Sequence, residues 1–250
     1  MAPEPNDRDL AALLFTWQSR RVTTAQLARA FWPGSPSAAA RRLGVLRRSG
    51  LLGALRCPWL RERLLHIPCR AGNQALADCG LLPEAWIGDR GRRGAEPGPA
   101  LIHDLQVVDL RLGLEESGAD GTTWVSDHQL RLLRWAPGRE GRVPDGLFSY
   151  RHGGSSLKGL LEFERAPYRR RHALELFARL AARHPDRTAF MVATSEARAL
   201  TLRAWAAEPC GWPGPPQAIA FGAYAAVADG GLEGGLRDLF GRPWTPPEPV

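Results

Sequence analysis

Apolar residues recur at helical spacing from the start of the chain. Leu10, Leu13, Leu14 and Trp17 fall on one side of a helix that Asn6 or Asp7 can cap. A second amphipathic stretch opens with Thr23 and Gln26 as a capping box, braced by Val22 and Leu27 as a hydrophobic staple. It continues through Ala30 and Phe31 and stops at Pro33-Gly34. A third helix has Ser35 as cap and Pro36 in its first turn, and Gly50 ends it. Extended stretches follow at Gly53–Arg56 and Leu64–Pro68, around a tip at Cys57–Arg63, and a fourth helix covers about Ala71–Cys79. Helix, helix–turn–helix and β-hairpin in this order describe a winged helix-turn-helix over residues 6–82.

Residues 83–99 (PEAWIGDRGRRGAEPGP) are rich in Gly, Pro and charge, the composition of a linker. Beyond it the rhythm changes. His103–Glu116 is amphipathic at helical spacing, and extended segments are expected near Thr122–Leu133, Val143–Tyr150 and Leu157–Phe163. A helix over Tyr168–Arg183 then leads into Thr188–Thr194, an unbroken apolar run suited to a sheet interior. Ala197–Ala207 reads as a helix and Gln217–Phe221 as a short strand. The fold class is therefore α/β in two domains, the second a mixed α/β unit over 100–246.

Charge refines this division. Lys158 is the only lysine among 33 basic residues, so any chemistry needing an ammonium has one candidate. Residues 1–98 hold 15 Arg against 8 acids, whereas 99–250 hold 17 Arg and one Lys against 18. Within 10–82 the count is 11 Arg to 2 acids, a field that draws polyanions. In the third helix Ala39, Leu43 and Leu46 form an inward stripe, while Arg41, Arg42 and Arg48 fall outside it and Arg47 lies at its margin. An apolar back with a guanidinium front is what a helix needs to read a duplex groove, since the planar fork matches guanine or phosphate. Arg56, Arg61 and Arg63 would sit on the hairpin, beside the adjacent backbone. Double-stranded DNA is thus the expected partner, with no cofactor required for binding it.

The stretches VTTAQLARAFWPGSPSAAARRLGVLRRSGLL and HIPCRAGNQALADCGLL resemble the replication-relaxation family of plasmid and mobile-element proteins. The similarity runs on through HDLQVVDLRLGL, VPDGLFSY and LLEFERAPYRRRHALELF. The resemblance implies a DNA-binding accessory of replication, mobilisation or recombination, acting with a protein partner or as a homodimer. The arginine-dominated basic set with frequent Ala, Gly, Pro and Trp suggests a GC-rich bacterial genome, and the lack of a span-length apolar run a cytoplasmic location. The resemblance also implies a restriction-endonuclease-like second domain. That fold's signature is Pro-Asp on one strand and (Asp/Glu)-x-Lys on the next, two carboxylates for Mg²⁺ and a lysine for the reacting phosphate.

Here Pro144-Asp145 supplies the first half, and Glu162-Phe163-Glu164 the second with Glu164 in the lysine's place. Glu162 and Glu164 share a strand face about 6.7 Å apart, whereas Lys158 is about 13 Å away. Arg169, Arg170 or Arg171 on the following helix are the candidate surrogates. Mg²⁺ would be held by Asp145 and Glu162, and the expectation is a platform without catalysis. The alternatives are an Mg²⁺-dependent endonuclease with a rearranged basic residue, or a transcriptional regulator.

Cys57, His66, Cys69 and Cys79 lack the paired knuckle spacing of a zinc site. Asp127-His128 has no nucleophile motif beside it. No apolar run approaches the ~20 residues of a membrane span, and no membrane partner is expected.

Overall fold

The computed structural model describes residues 4–58, 60, 64–88, 99–133, 143–152 and 155–245. Its described residues form a mixed α/β protein with two sheets, dividing into compact units at 1–108 and 109–250.

In the first unit, α1 (Asp7–Ser19) is capped by Asn6, whose side chain accepts from the Asp9 amide while Asp9 accepts from the Asn6 amide. The strand β1 (Val22–Thr23) runs straight into α2 (Thr24–Phe31), and Thr23 and Gln26 form the expected reciprocal cap. Next comes α3 (Pro36–Arg48). Ser35 precedes Pro36 but makes no side-chain cap bond. Gly50 ends the helix at φ +75°, with the Leu51 amide reaching Leu46 O and the Gly50 amide reaching Arg47 O.

A hairpin of β2 (Gly53–Arg56) and β3 (Leu64–Ile67) follows, and β1 adds to β3 with Val22 opposite His66. The sheet order is β1-β3-β2. Leu13, Trp17, Leu27, Leu43, Leu46 and Leu65 fill the core, and Leu76 of α4 (Arg70–Asp78) joins them.

Residues 84–86 make a single 3-10 turn. The Trp86 ring stacks on Trp17 at 5.3 Å, and Asn73 donates to Ile87 O. This part of the linker-like segment is therefore packed onto the first unit, and residues 89–98 of it lie outside the described residues. The long helix α5 (Pro99–Glu116) contributes its first ten residues to the first unit. Leu101 and Leu105 are buried with Cys57 and Leu65, and Gln26 Nε2 donates to Leu105 O at 2.8 Å.

The second unit is built on a six-stranded sheet. β4 (Ala119–Ser126), β5 (Gly146–His152) and β6 (Ser155–Glu164) form an antiparallel meander. β7 (Thr188–Ala193) lies parallel to β6, and β8 (Ile219–Ala223) parallel to β7. The short β9 (Leu236–Arg237) closes the edge. A run expected to stay extended to Leu133 turns at Ser126 into α6 (Asp127–Leu132), because Ser126 and Gln129 make another capping box.

Leu147, Leu160, Met191 and Phe221 face α7 (Arg170–Arg183) and α8 (Glu196–Ala206). On the opposite face Phe163 packs on Tyr224, the first residue of α9 (Tyr224–Gly234), and the Tyr224 hydroxyl donates to Asp109 of α5. None of the described helices is long and apolar enough to cross a membrane.

Candidate nucleic-acid interface and carboxylate site

The buried stripe of α3 fixes which of its side chains face outward. Ala39, Leu43 and Leu46 are at most 1% exposed, and Ser37, Ala40, Arg41 and Arg48 lie on the open side. Arg41 has no ion-pair or hydrogen-bond partner among the described residues, so its guanidinium is available. The Arg48 guanidinium lies over Gly44, where a Cβ would sit 3.4 Å from it.

Arg42 is placed differently from its neighbour. Its Nε donates to Asp9 Oδ1 at 2.8 Å, its NH2 bonds to Oδ2, and Asp9 is wholly buried. Burial alone would raise the Asp9 pKa, but the hydrogen bonds from Arg42 and the Asn6 amide, with the Arg42 charge, hold it below the ordinary carboxylate value. The pair ties α3 to α1.

Arg47 is half-buried, and its Nε is closed to solvent with no hydrogen bond among the described residues. It bears on His66, whose pKa is pushed down to about 4 by burial first and the Arg47 charge second. His66 is 1% exposed and its Nε2 sits 3.0 Å from Thr24 Oγ1. Arg56 is exposed on β2, and Arg61 and Arg63 lie outside the described residues.

In the second unit the meander brings the three carboxyl residues to one region. The Asp145 amide donates to Leu161 O at 3.0 Å, extending the Gly146–Leu161 pairing by one step and setting Asp145 beside Glu162. Gly146 is needed there, since a Cβ would meet the Trp124 ring at 2.4 Å. Alternation along β6 puts Glu162 and Glu164 on the α7/α8 face with Leu160. Asp145 Oδ2 accepts from the Phe163 amide at 2.7 Å, and Glu162 is 0% exposed.

Glu164 meets a cation that the sequence reading missed. Arg198, in the first turn of α8, donates Nε to Oε2 and NH2 to Oε1, both at 2.6 Å. Its NH2 also reaches Tyr168 O, and the Tyr168 amide donates back to Glu164. These bonds to Glu164 raise the Arg198 pKa.

The expected surrogates are engaged elsewhere or stand apart. Arg170 pairs with Glu208 and Arg171 with Glu175, while Arg169 is exposed at the start of α7 with no partner among the described residues. Lys158 pairs with Asp186 at 2.8 Å. The one signal for Arg198 was Ser195, whose N-cap fixes where α8 begins; strand spacing carries no information about a residue 34 positions away.

As a metal site the donor set fits in part. Asp145 and Glu162 each lie one residue beyond the Gly146–Leu161 pair, but both Glu164 oxygens are taken by Arg198. Mg²⁺ keeps several of its waters, and the 0% exposure of Glu162 leaves no open face for them. Among the described residues no group of three or more His, Cys, Asp or Glu side chains is arranged to hold a metal.

Compared with known proteins, the chain matches no family model, no curated protein and no solved structure.

Proposed function

We propose that this chain is a double-stranded DNA-binding protein whose first unit is a winged helix reading the duplex through α3. Its second unit is, in this reading, a nuclease-like platform that does not cut. The observation that carries the proposal is the division of α3: a back that is at most 1% exposed, and a front bearing Arg41 and Arg48. The β2–β3 hairpin with Arg56 supplies the wing, and the excess of arginine over acid within 10–82 supplies the field. The replication-relaxation resemblance sets this in a plasmid or mobile element, with a protein partner or a second copy completing the assembly.

For the second unit, the order helix, three-stranded meander, helix, parallel strand supports a nuclease-like core, and Arg198 supports its inactivity. An active site needs its cation facing the scissile phosphate. Arg198 instead gives three of its bonds to Glu164 and Tyr168 O.

Duplex binding by Arg41→Ala and Arg48→Ala tests the first part. Each should lose about 1–3 kcal/mol if it meets a base edge, or lower the salt slope by about one unit if it meets phosphate. Unchanged affinity and slope in both would dismiss α3 as the reader. Supercoiled plasmid incubated with Mn²⁺ tests the second part: nicking by the wild type and none by Asp145→Ala would make the chain a nuclease.

A further inference from the structure

An open cleft of about 450 Å³ lies in the first unit between the start of α1 and the face of α3 that includes Ala38, Arg41 and Val45. From its geometry we propose that it binds a nucleotide, with the phosphate on the arginines and the base against Trp32. The volume falls in the range of small-ligand sites, about 300–1,000 Å³. Arg8, Arg41 and Arg42 line it against one carboxylate, Asp9. That carboxylate adds little negative potential, because both of its oxygens are bonded by Arg42.

The three guanidiniums divide the work. Arg42 is fixed by Asp9 through Nε and NH2, which holds its NH1 edge in a set position with no hydrogen-bond partner among the described residues. Arg8 and Arg41 are exposed and can close on an anion from either side. Planar guanidiniums pair bidentately with phosphate oxygens, and one pre-positioned fork lowers the ordering cost of the site. A bare phosphate would have no use for the apolar wall of Trp32, Ala38 and Val45. A nucleotide matches both halves: its base lies along the apolar wall of Ala38, Val45 and the 8%-exposed Trp32, not stacked on a free ring face.

This site is separate from the outward stripe of α3, although Arg41 borders both, and its nucleotide can be free or borne on a DNA strand. The test titrates adenosine monophosphate, adenosine and inorganic phosphate into the full chain by calorimetry. A DNA duplex and a short single-stranded oligonucleotide are followed in parallel. The monophosphate should bind at about 0.1–1 mM and lose about tenfold in Arg8→Ala/Arg41→Ala, with adenosine and phosphate each about tenfold weaker. Arg48→Ala should leave it unchanged, because Arg48 is outside the cleft. If the monophosphate does not bind but the oligonucleotide does, and weakens about fivefold or more in Arg8→Ala, the nucleotide is strand-borne and the site stands; an effect on the duplex alone reports phosphate contact and dismisses the site.

If the monophosphate does not bind and Arg8→Ala leaves the oligonucleotide untouched, the cleft is not a nucleotide site. Arg48→Ala separates that failure from failure of the DNA reading. Loss of duplex affinity there, with the cleft silent, removes only the cleft; monophosphate binding without any duplex binding removes only the reading helix.

Discussion

Arg41 and Arg42 are adjacent in sequence and opposite in role. Arg42→Ala strands the buried Asp9 carboxylate and should destabilise the first unit by about 3 kcal/mol, the cost of breaking a buried pair. Arg41→Ala should leave stability within about 0.5 kcal/mol while weakening duplex binding. Because the Asp9 pKa is lowered in the folded protein, its stabilising share is complete above the ordinary value of 3.8 and is lost as pH falls through the lower folded value. The Arg42→Ala penalty should therefore shrink in urea melts below that pH; a penalty that stays constant would remove the ion pair from the account.

His66 titrates in a different window. Its folded pKa of about 4 lies below the ordinary 6.5, so the unfolded chain takes up the proton first. Stability is complete above 6.5, declines as pH falls toward 4, and loses about 3 kcal/mol in all. His66→Asn should flatten this part of the stability curve. In the second unit, Glu164→Lys would set an ammonium against Arg198 in a buried place and cost about 3–5 kcal/mol. The charge swap Glu164→Lys/Arg198→Glu should recover part of that loss, and a double-mutant cycle with no coupling would show that the pair is not structural.

At the scale of elements, α5 decides where the first unit can be cut. Leu101 and Leu105 are buried with Cys57 and Leu65, and Asp104 pairs with Arg21 at 2.8 Å. A fragment ending at 96 loses two buried leucines, each about 1.5–3 kcal/mol, out of a total stability of about 5–15 kcal/mol. The 1–108 fragment should therefore melt cooperatively and well above 1–96; equal melting temperatures would detach α5 from the first unit.

The elements that the sequence made legible are those whose signals are local. Thr23–Gln26 as a cap, Gly50 as a stop and the apolar run of β7 all act within a few residues. The turn at Ser126 has the same kind of box, Ser126 with Gln129, but lies inside the Thr122–Leu133 stretch expected to stay extended. The glycines at 230, 231, 234 and 235 obscure α9 in the sequence, and the helix bends at Gly231 with φ +54°. For the candidate sites the limit is distance along the chain. Which arginine faces out follows from helical phase, but Asp9 claiming Arg42, and Arg198 claiming Glu164, are contacts across 33 and 34 positions.

For the molecule as a whole, the proposed DNA reading rests on the charge of the first unit. Its 15 arginines against nine acids leave +6, while the second unit's 18 basic and 17 acidic residues leave +1. The 1–108 fragment should keep most of the non-specific duplex affinity, and 109–250 should bind weakly; the reverse result would move the interface to the carboxylate face. The decisive measurement is the affinity of the full chain for duplex DNA as a function of salt. Measurable binding is expected at about 50 mM salt, with a linear fall of log K against log salt of about 0.9 per phosphate neutralised. Arg41→Ala and Arg48→Ala should lower the affinity, the slope or both. Absence of duplex binding at low salt, or binding indifferent to salt and to both arginines, would contradict the DNA reading.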